Sequence, residues 1–135
     1  AMPGYPGDPK RSIPPNVYRP EDTQNFTALL IESRRQLDEL GQQNGKHYLL
    51  TIATPAGEQY KKFELDKVAQ VVDFINLMTY DMHGTWETHG PTNFQAPLYS
   101  SPDDPTKIKL SVDSVVSAYL KAGVPPKKLV VGVPF

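Results

Sequence analysis

The chain has 135 residues, enough for one ordinary domain, and its 14 Lys and Arg against 15 Asp and Glu give a formal charge of −1. That balance excludes the basic surface of a nucleic-acid binder, and no block of like charge marks an interaction tail. There is no cysteine, so no disulfide framework, thiolate metal site or cysteine nucleophile, and no apolar run nears the roughly 18 residues of a membrane helix. The unusual number is proline: 14 residues, about double the usual ~5 %. A hydrophobic content of 39 % still permits a core. The opening Ala1-Met2-Pro3-Gly4 has neither the charged nor the apolar region of a signal peptide.

Residues 1–19 read as an extended Pro/Gly-rich loop, because no apolar period runs through them and each X-Pro restricts the residue before it. A helix is predicted at about 20–40, with Phe26, Leu29, Leu30, Leu37 and Leu40 on one face. Glu21 and Asp22 suit its positive end, and Gly41 is the expected stop. Asn25-Phe26-Thr27 spells a glycosylation acceptor, read here as a chance triplet inside the helix. A strand follows at Tyr48 to Ala53, stopped by Thr54-Pro55-Ala56-Gly57. Leu65, Val68, Val71 and Val72 give a short helical stripe, and a second strand runs from Phe74 to Tyr80. After a long loop at about 82–110, Ser111 caps a third helix, whose stripe is Val112, Val115, Val116, Tyr119 and Leu120. Gly123 and Pro125 end it, and Leu129 to Phe135 form a third strand. Alternating helices and β-branched strands imply an α/β fold with a parallel sheet.

The second strand carries the chemistry. Alternation puts Asn76, Met78 and Tyr80 on one face and Ile75 and Leu77 on the other. The aliphatic face belongs under helices, so the mixed face points into a barrel, where polar groups near the strand's C-terminal end often meet a ligand. Asp81 sits just past that end, with His83, Trp86 and Glu87 in the loop beyond. An aromatic ring beside hydrogen-bonding groups suits sugars, so Tyr80, Asp81, Trp86 and Glu87 are more telling together than singly. Asp81 and Glu87 form a candidate acid–base pair whose separation sequence does not fix. His83 and His89 with Asp81 match no metal-ligand spacing, and no metal is expected. There is no P-loop, GxGxxG or GxSxG.

Phe74-Ile75-Asn76-Leu77-Met78-Thr79-Tyr80-Asp81 resembles the M-x-Y-D strand of glycoside hydrolase family 18, the chitinase family. Other stretches agree in order. Asn25 to Leu30 resembles the helix after the catalytic strand, and Leu49 to Ala53 the next strand. Trp86 with Ala96-Pro97-Leu98-Tyr99 resembles the loop after M-x-Y-D, Val112 to Val124 the family's helix-to-strand passage, and Lys128 to Phe135 its penultimate strand. The resemblance implies a partial family 18 catalytic barrel over residues 1–135: three parallel strands with helices, the fifth to seventh of a (β/α)8 TIM barrel.

The family's D-x-x-D-x-D-x-E motif, whose Glu is the general acid, does not occur; the only Asp-Asp pair, Asp103-Asp104, lies in a proline loop. On this map residues 1–19 follow the missing catalytic strand. The resemblance implies a fragment of a chitinase that hydrolyses β-1,4-linked N-acetylglucosamine polymers by a substrate-assisted retaining mechanism. Tyr80 would bind the acetamido oxygen, Met78 would pack beside the acetyl group, and Asp81 would bond sugar or support neighbouring carboxylates. Trp86 would stack a sugar ring, with Asn76 and Glu87 as further substrate-binding candidates. Chitin or chitooligosaccharide is the implied partner, outside the cell, with no cofactor. The alternative is a chitinase-like lectin that binds without cleaving. The chain alone is expected to be inactive, and its open sheet edges are expected to oppose independent folding.

Overall fold

A computed structural model describes residues 7–135. The opening Ala1-Met2-Pro3-Gly4 and the first part of the predicted extended loop lie outside the described residues. The rest of that loop departs from a plain extended chain: a 3-10 turn at Pro9–Arg11 is clasped by backbone bonds between Asp8 and Ile13.

Three parallel strands, β1 (Thr51–Pro55), β2 (Phe74–Met78) and β3 (Leu129–Val131), form one sheet in the order β1-β2-β3. β2 is central: Ile75 lies beside Ile52 and Leu129, and Leu77 beside Thr54 and Val131. Helices α1 (Asp22–Asn44), α2 (Leu65–Val71) and α3 (Val112–Lys121) connect and cover them. Ile75 and Leu77 are fully buried in a core with Leu30, Val68, Val115 and Tyr119. Asn76, Met78 and Tyr80 are half-buried on the opposite face, where their register neighbours Ala53 and Val130 are exposed. The aliphatic face is therefore the covered one, as the alternation predicts.

The boundaries differ from the predicted ones for physical reasons. Gly41 does not end α1; it is buried inside the helix, and Gly45 caps it at φ 70°. Gly41 is needed for close approach, since a Cβ there would lie 2.2 Å from the Lys46 carbonyl oxygen. The Gly41 carbonyl accepts from both Gly45 and Lys46, which closes the helix end. Leu29 and Leu40 face solvent, because α1 packs against α2 along one flank only, through Phe26 and Leu30. Within the Asn25-Phe26-Thr27 triplet of α1, Thr27 is buried and Asn25 is exposed.

β1 starts three residues later than expected. At Leu50 the partner is the Asp73 side chain, which accepts from the Leu50 N–H at 2.7 Å while the Asp73 N–H donates to Leu50 O. The same carboxylate meets Arg34 Nη1 at 3.2 Å and His47 Nε2 at 2.6 Å. Asp73 thus ties α1 to the starts of β1 and β2. Burial pushes its carboxyl up, but the Leu50 amide, His47 and Arg34 outweigh that and hold it below the usual range. A carboxylate with a depressed folded pKa adds stability that is present above its unfolded value of about 3.9 and lost as pH falls through the folded one. Acid titration of the melting temperature is expected to show a drop below about pH 4 that Asp73→Asn removes, from a lower starting value. A variant that melts in parallel with the parent across that window contradicts the role.

α3 begins at Ser111, whose hydroxyl accepts from the Ser114 N–H in a reciprocal capping box. Tyr119 of α3 is fully buried and donates to Pro55 O at 3.1 Å; burial pushes its phenol up to about 12. Lys128 Nζ donates to Ala69 O and Val72 O at 2.7 and 2.8 Å, a cation on the carbonyl end of α2. β3 is shorter than expected, although Gly132 still donates to Leu77 O at 2.9 Å.

Candidate active site

The residues after β2 turn away from the ladder within three positions. Thr79 is buried and donates to Gly132 O at 2.7 Å, which anchors this end of β2 to the chain after β3. Tyr80 then lies against Gly132, where a Cβ would come within 2.7 Å of its ring and 2.5 Å of Leu77 O. Only glycine leaves room for the phenol at that place. The Tyr80 hydroxyl has no hydrogen-bond partner among the described residues.

Asp81 adopts φ 52°, a left-handed conformation that Asp tolerates better than most side chains. Such strained positions gather at functional sites. Its Oδ1 accepts from Gln95 Nε2 at 2.6 Å, and Gln95 O accepts from the Met82 N–H at 2.8 Å. Gln95 therefore orients Asp81 and leaves Oδ2 available. No sequence signal marked Gln95, which lies 14 positions away in an aperiodic loop.

Met78, Tyr80 and Asp81 line one hollow of about 350 Å³, with Pro55, Gln59 and Leu110 on its other walls. Asn76 shares their face but lies deeper and outside the lining; its amide donates weakly to Ile52 O at 3.4 Å. A second hollow of about 470 Å³ shares Gly57, Gln59 and Leu110 with the first and adds His83, Glu87 and Thr106. The two hollows are neighbours across those shared residues, and the first opens beyond the ends of β1 and β2, where barrel enzymes place their sites.

Trp86 is 56 % exposed and lies over Gly84, where a Cβ would sit 2.4 Å from its ring. Glu87 turns inward, to His83 Nδ1 at 3.1 Å and the Gly84 N–H at 3.3 Å. Asp81 and Glu87 thus each have a separate partner. Asp104, next to Asp103 in the proline loop, is buried and accepts from the Thr106 hydroxyl at 2.6 Å. That bond, the Thr106 N–H and the Asn93 side chain hold its carboxyl below the usual range. Among the described residues no three His, Asp or Glu side chains gather as a metal site.

Residues 4–135 match the sequence profile of Glycosyl hydrolases family 18. Chitinase A1 of Niallia circulans is 45 % identical over 125 residues, which is 89 % of this chain and 18 % of that protein. Chitinase ChiA74 from Bacillus thuringiensis superposes with a TM-score of 0.84 at 48 % identity, over 92 % of this chain and 20 % of that one. A glycoside hydrolase family 18 N-acetylglucosaminidase from Paenibacillus barengoltzii gives 0.79 at 40 % identity, over 95 % and 36 %. The chain therefore spans between about a fifth and a third of the length of these relatives. Its three parallel strands and their helices are an incomplete (β/α)8 barrel. Profile, identity and superposition agree, and the chain belongs to glycosyl hydrolase family 18.

Proposed function

We propose that the protein to which this segment belongs hydrolyses β-1,4-linked N-acetylglucosamine in chitin or chitooligosaccharides, with the substrate's own acetamido oxygen as nucleophile. The observation that carries this reading is the unpartnered Tyr80 hydroxyl in a hollow that also holds Met78 and Asp81. In this reading Tyr80 donates to the acetamido oxygen and holds it against the anomeric carbon, and such pre-positioning supplies several kcal/mol of the barrier. Met78 offers an apolar contact for the acetyl methyl group. Asp81, steadied by Gln95, accepts from sugar or the acetamide with its remaining oxygen. Trp86 offers the face of its ring to a sugar. The nucleophile comes from the substrate and the proton from a carboxylic acid, so the reaction needs no cofactor. Chitin is an insoluble polymer, which calls for action outside the cell.

The leaving-group oxygen needs a proton, and D-x-x-D-x-D-x-E, the motif whose Glu would supply it, is absent from these 135 residues. The purified chain is therefore expected to release no product from chitooligosaccharides in an overnight assay by chromatography. Measurable turnover would show that a carboxyl group within it serves as the acid. In the whole protein, Glu at the last position of that motif marks a hydrolase; Asp, Gln or Leu there marks a binding protein.

A further inference from the structure

We propose that Glu87 is a positioning residue: with His83 it locks the turn that carries Trp86, so that the ring is held ready for a sugar face. The turn is Gly84-Thr85-Trp86-Glu87. Its backbone closes through the Glu87 N–H donating to Gly84 O at 3.0 Å, and the Glu87 carboxylate returns to accept from the Gly84 N–H at 3.3 Å. The turn is thus tied twice across the same pair of residues. The same carboxylate accepts from His83 Nδ1 at 3.1 and 3.2 Å. The His83 side chain is only 7 % exposed, so the turn is fastened to a buried anchor. A carboxylate on Nδ1 also fixes which ring nitrogen carries the proton. Beyond the turn, the Gly90 N–H donates to Glu87 O at 2.9 Å and ties down the next stretch of loop.

These bonds fix the backbone on both sides of one ring. Trp86 occupies the third position of the turn and rests on Gly84, whose missing side chain lets the indole lie close to the backbone. An indole that is more than half exposed ordinarily samples several rotamers, and binding must then order it. Here the ring is ordered beforehand. Glu87 thus serves sugar binding through Trp86, since both its oxygens are already engaged within the loop. This inference rests on the reading of Trp86 as a sugar platform.

Trp86 is the only tryptophan of these 135 residues, so tryptophan fluorescence of this chain by itself reports this ring alone. In Glu87→Ala, acrylamide quenching of the ring is expected to rise and its anisotropy to fall, with far-UV circular dichroism unchanged. Glu87→Gln, which keeps shape and loses charge, is expected to fall between, and it supplies the same readout should the alanine variant unfold. Chitooligosaccharide titration is expected to show affinity about 2- to 10-fold weaker than the parent, with the same emission at saturation. Unchanged quenching and anisotropy in both variants would overturn the lock. A parent Trp86 emission that ignores chitooligosaccharide, in a chain whose variants do loosen the ring, would sink the sugar platform and leave the lock standing.

Discussion

Tyr80→Phe in a complete barrel that carries this segment is expected to lower kcat about 100-fold and leave KM nearly unchanged. In the proposed reading the hydroxyl holds the acetamido oxygen against the anomeric carbon, so its loss lets the nucleophile stray from line and slows the chemical step rather than binding. No described residue depends on that hydroxyl, and the melting temperature is expected to stay within a degree or so of the parent. Steady-state kinetics on a chitooligosaccharide decide the point. A raised KM at constant kcat would make Tyr80 a simple binding contact and would remove the main support for substrate assistance.

The largest stability loss is expected at Leu77. It is 1 % exposed, sits on the central strand and faces the core formed with α2 and α3. Leu77→Ala removes buried methyl groups and leaves a cavity, at a cost of about 2–5 kcal/mol. Small domains have about 5–15 kcal/mol in total, so one substitution takes a large share. Leu49→Ala, at a residue 63 % exposed just before β1, is expected to cost less than about 0.5 kcal/mol. Urea denaturation of the two variants side by side tests the contrast. Equal midpoints would mean that the covered face of the sheet is not where the stability resides.

The sequence made β2 legible because a parallel strand with one apolar face shows its orientation in its alternation. Ile75 and Leu77 went under the helices, and Met78 and Tyr80 went into the hollow. Ser111 was legible for a similar reason, since a hydroxyl before an apolar stripe has one favoured use. Element ends were not. Gly41 and Gly45 both resemble a helix stop, and only the return of the chain at Lys46 separates them. Asp73 extends the pairing of β1 by a side chain, which no strand propensity describes. Partners within the loop were equally hidden. Asp81 depends on Gln95, and Glu87 faces His83, because loop side chains meet through chain reversals that leave no period. Alternation puts Asn76 on the same face as Met78 and Tyr80, but it does not give depth along the strand, and the hollow is lined by the two nearer its end.

Gly132 has an implication for how sequences of this kind can drift. Its hydrogen atom occupies the only space between the Tyr80 ring and the Leu77 carbonyl. Any larger residue would tilt the phenol into the hollow or break the last rung of the ladder. The two positions, 52 apart in the chain, are therefore tied in one direction only: the tyrosine needs the glycine. A lineage that keeps the tyrosine is held to glycine there, and one that gives up the tyrosine is still held by the Leu77 carbonyl oxygen, 2.5 Å from where a Cβ would lie. Sequence sets should therefore keep glycine at this position even where the phenol is lost, and never show the phenol where the glycine is gone.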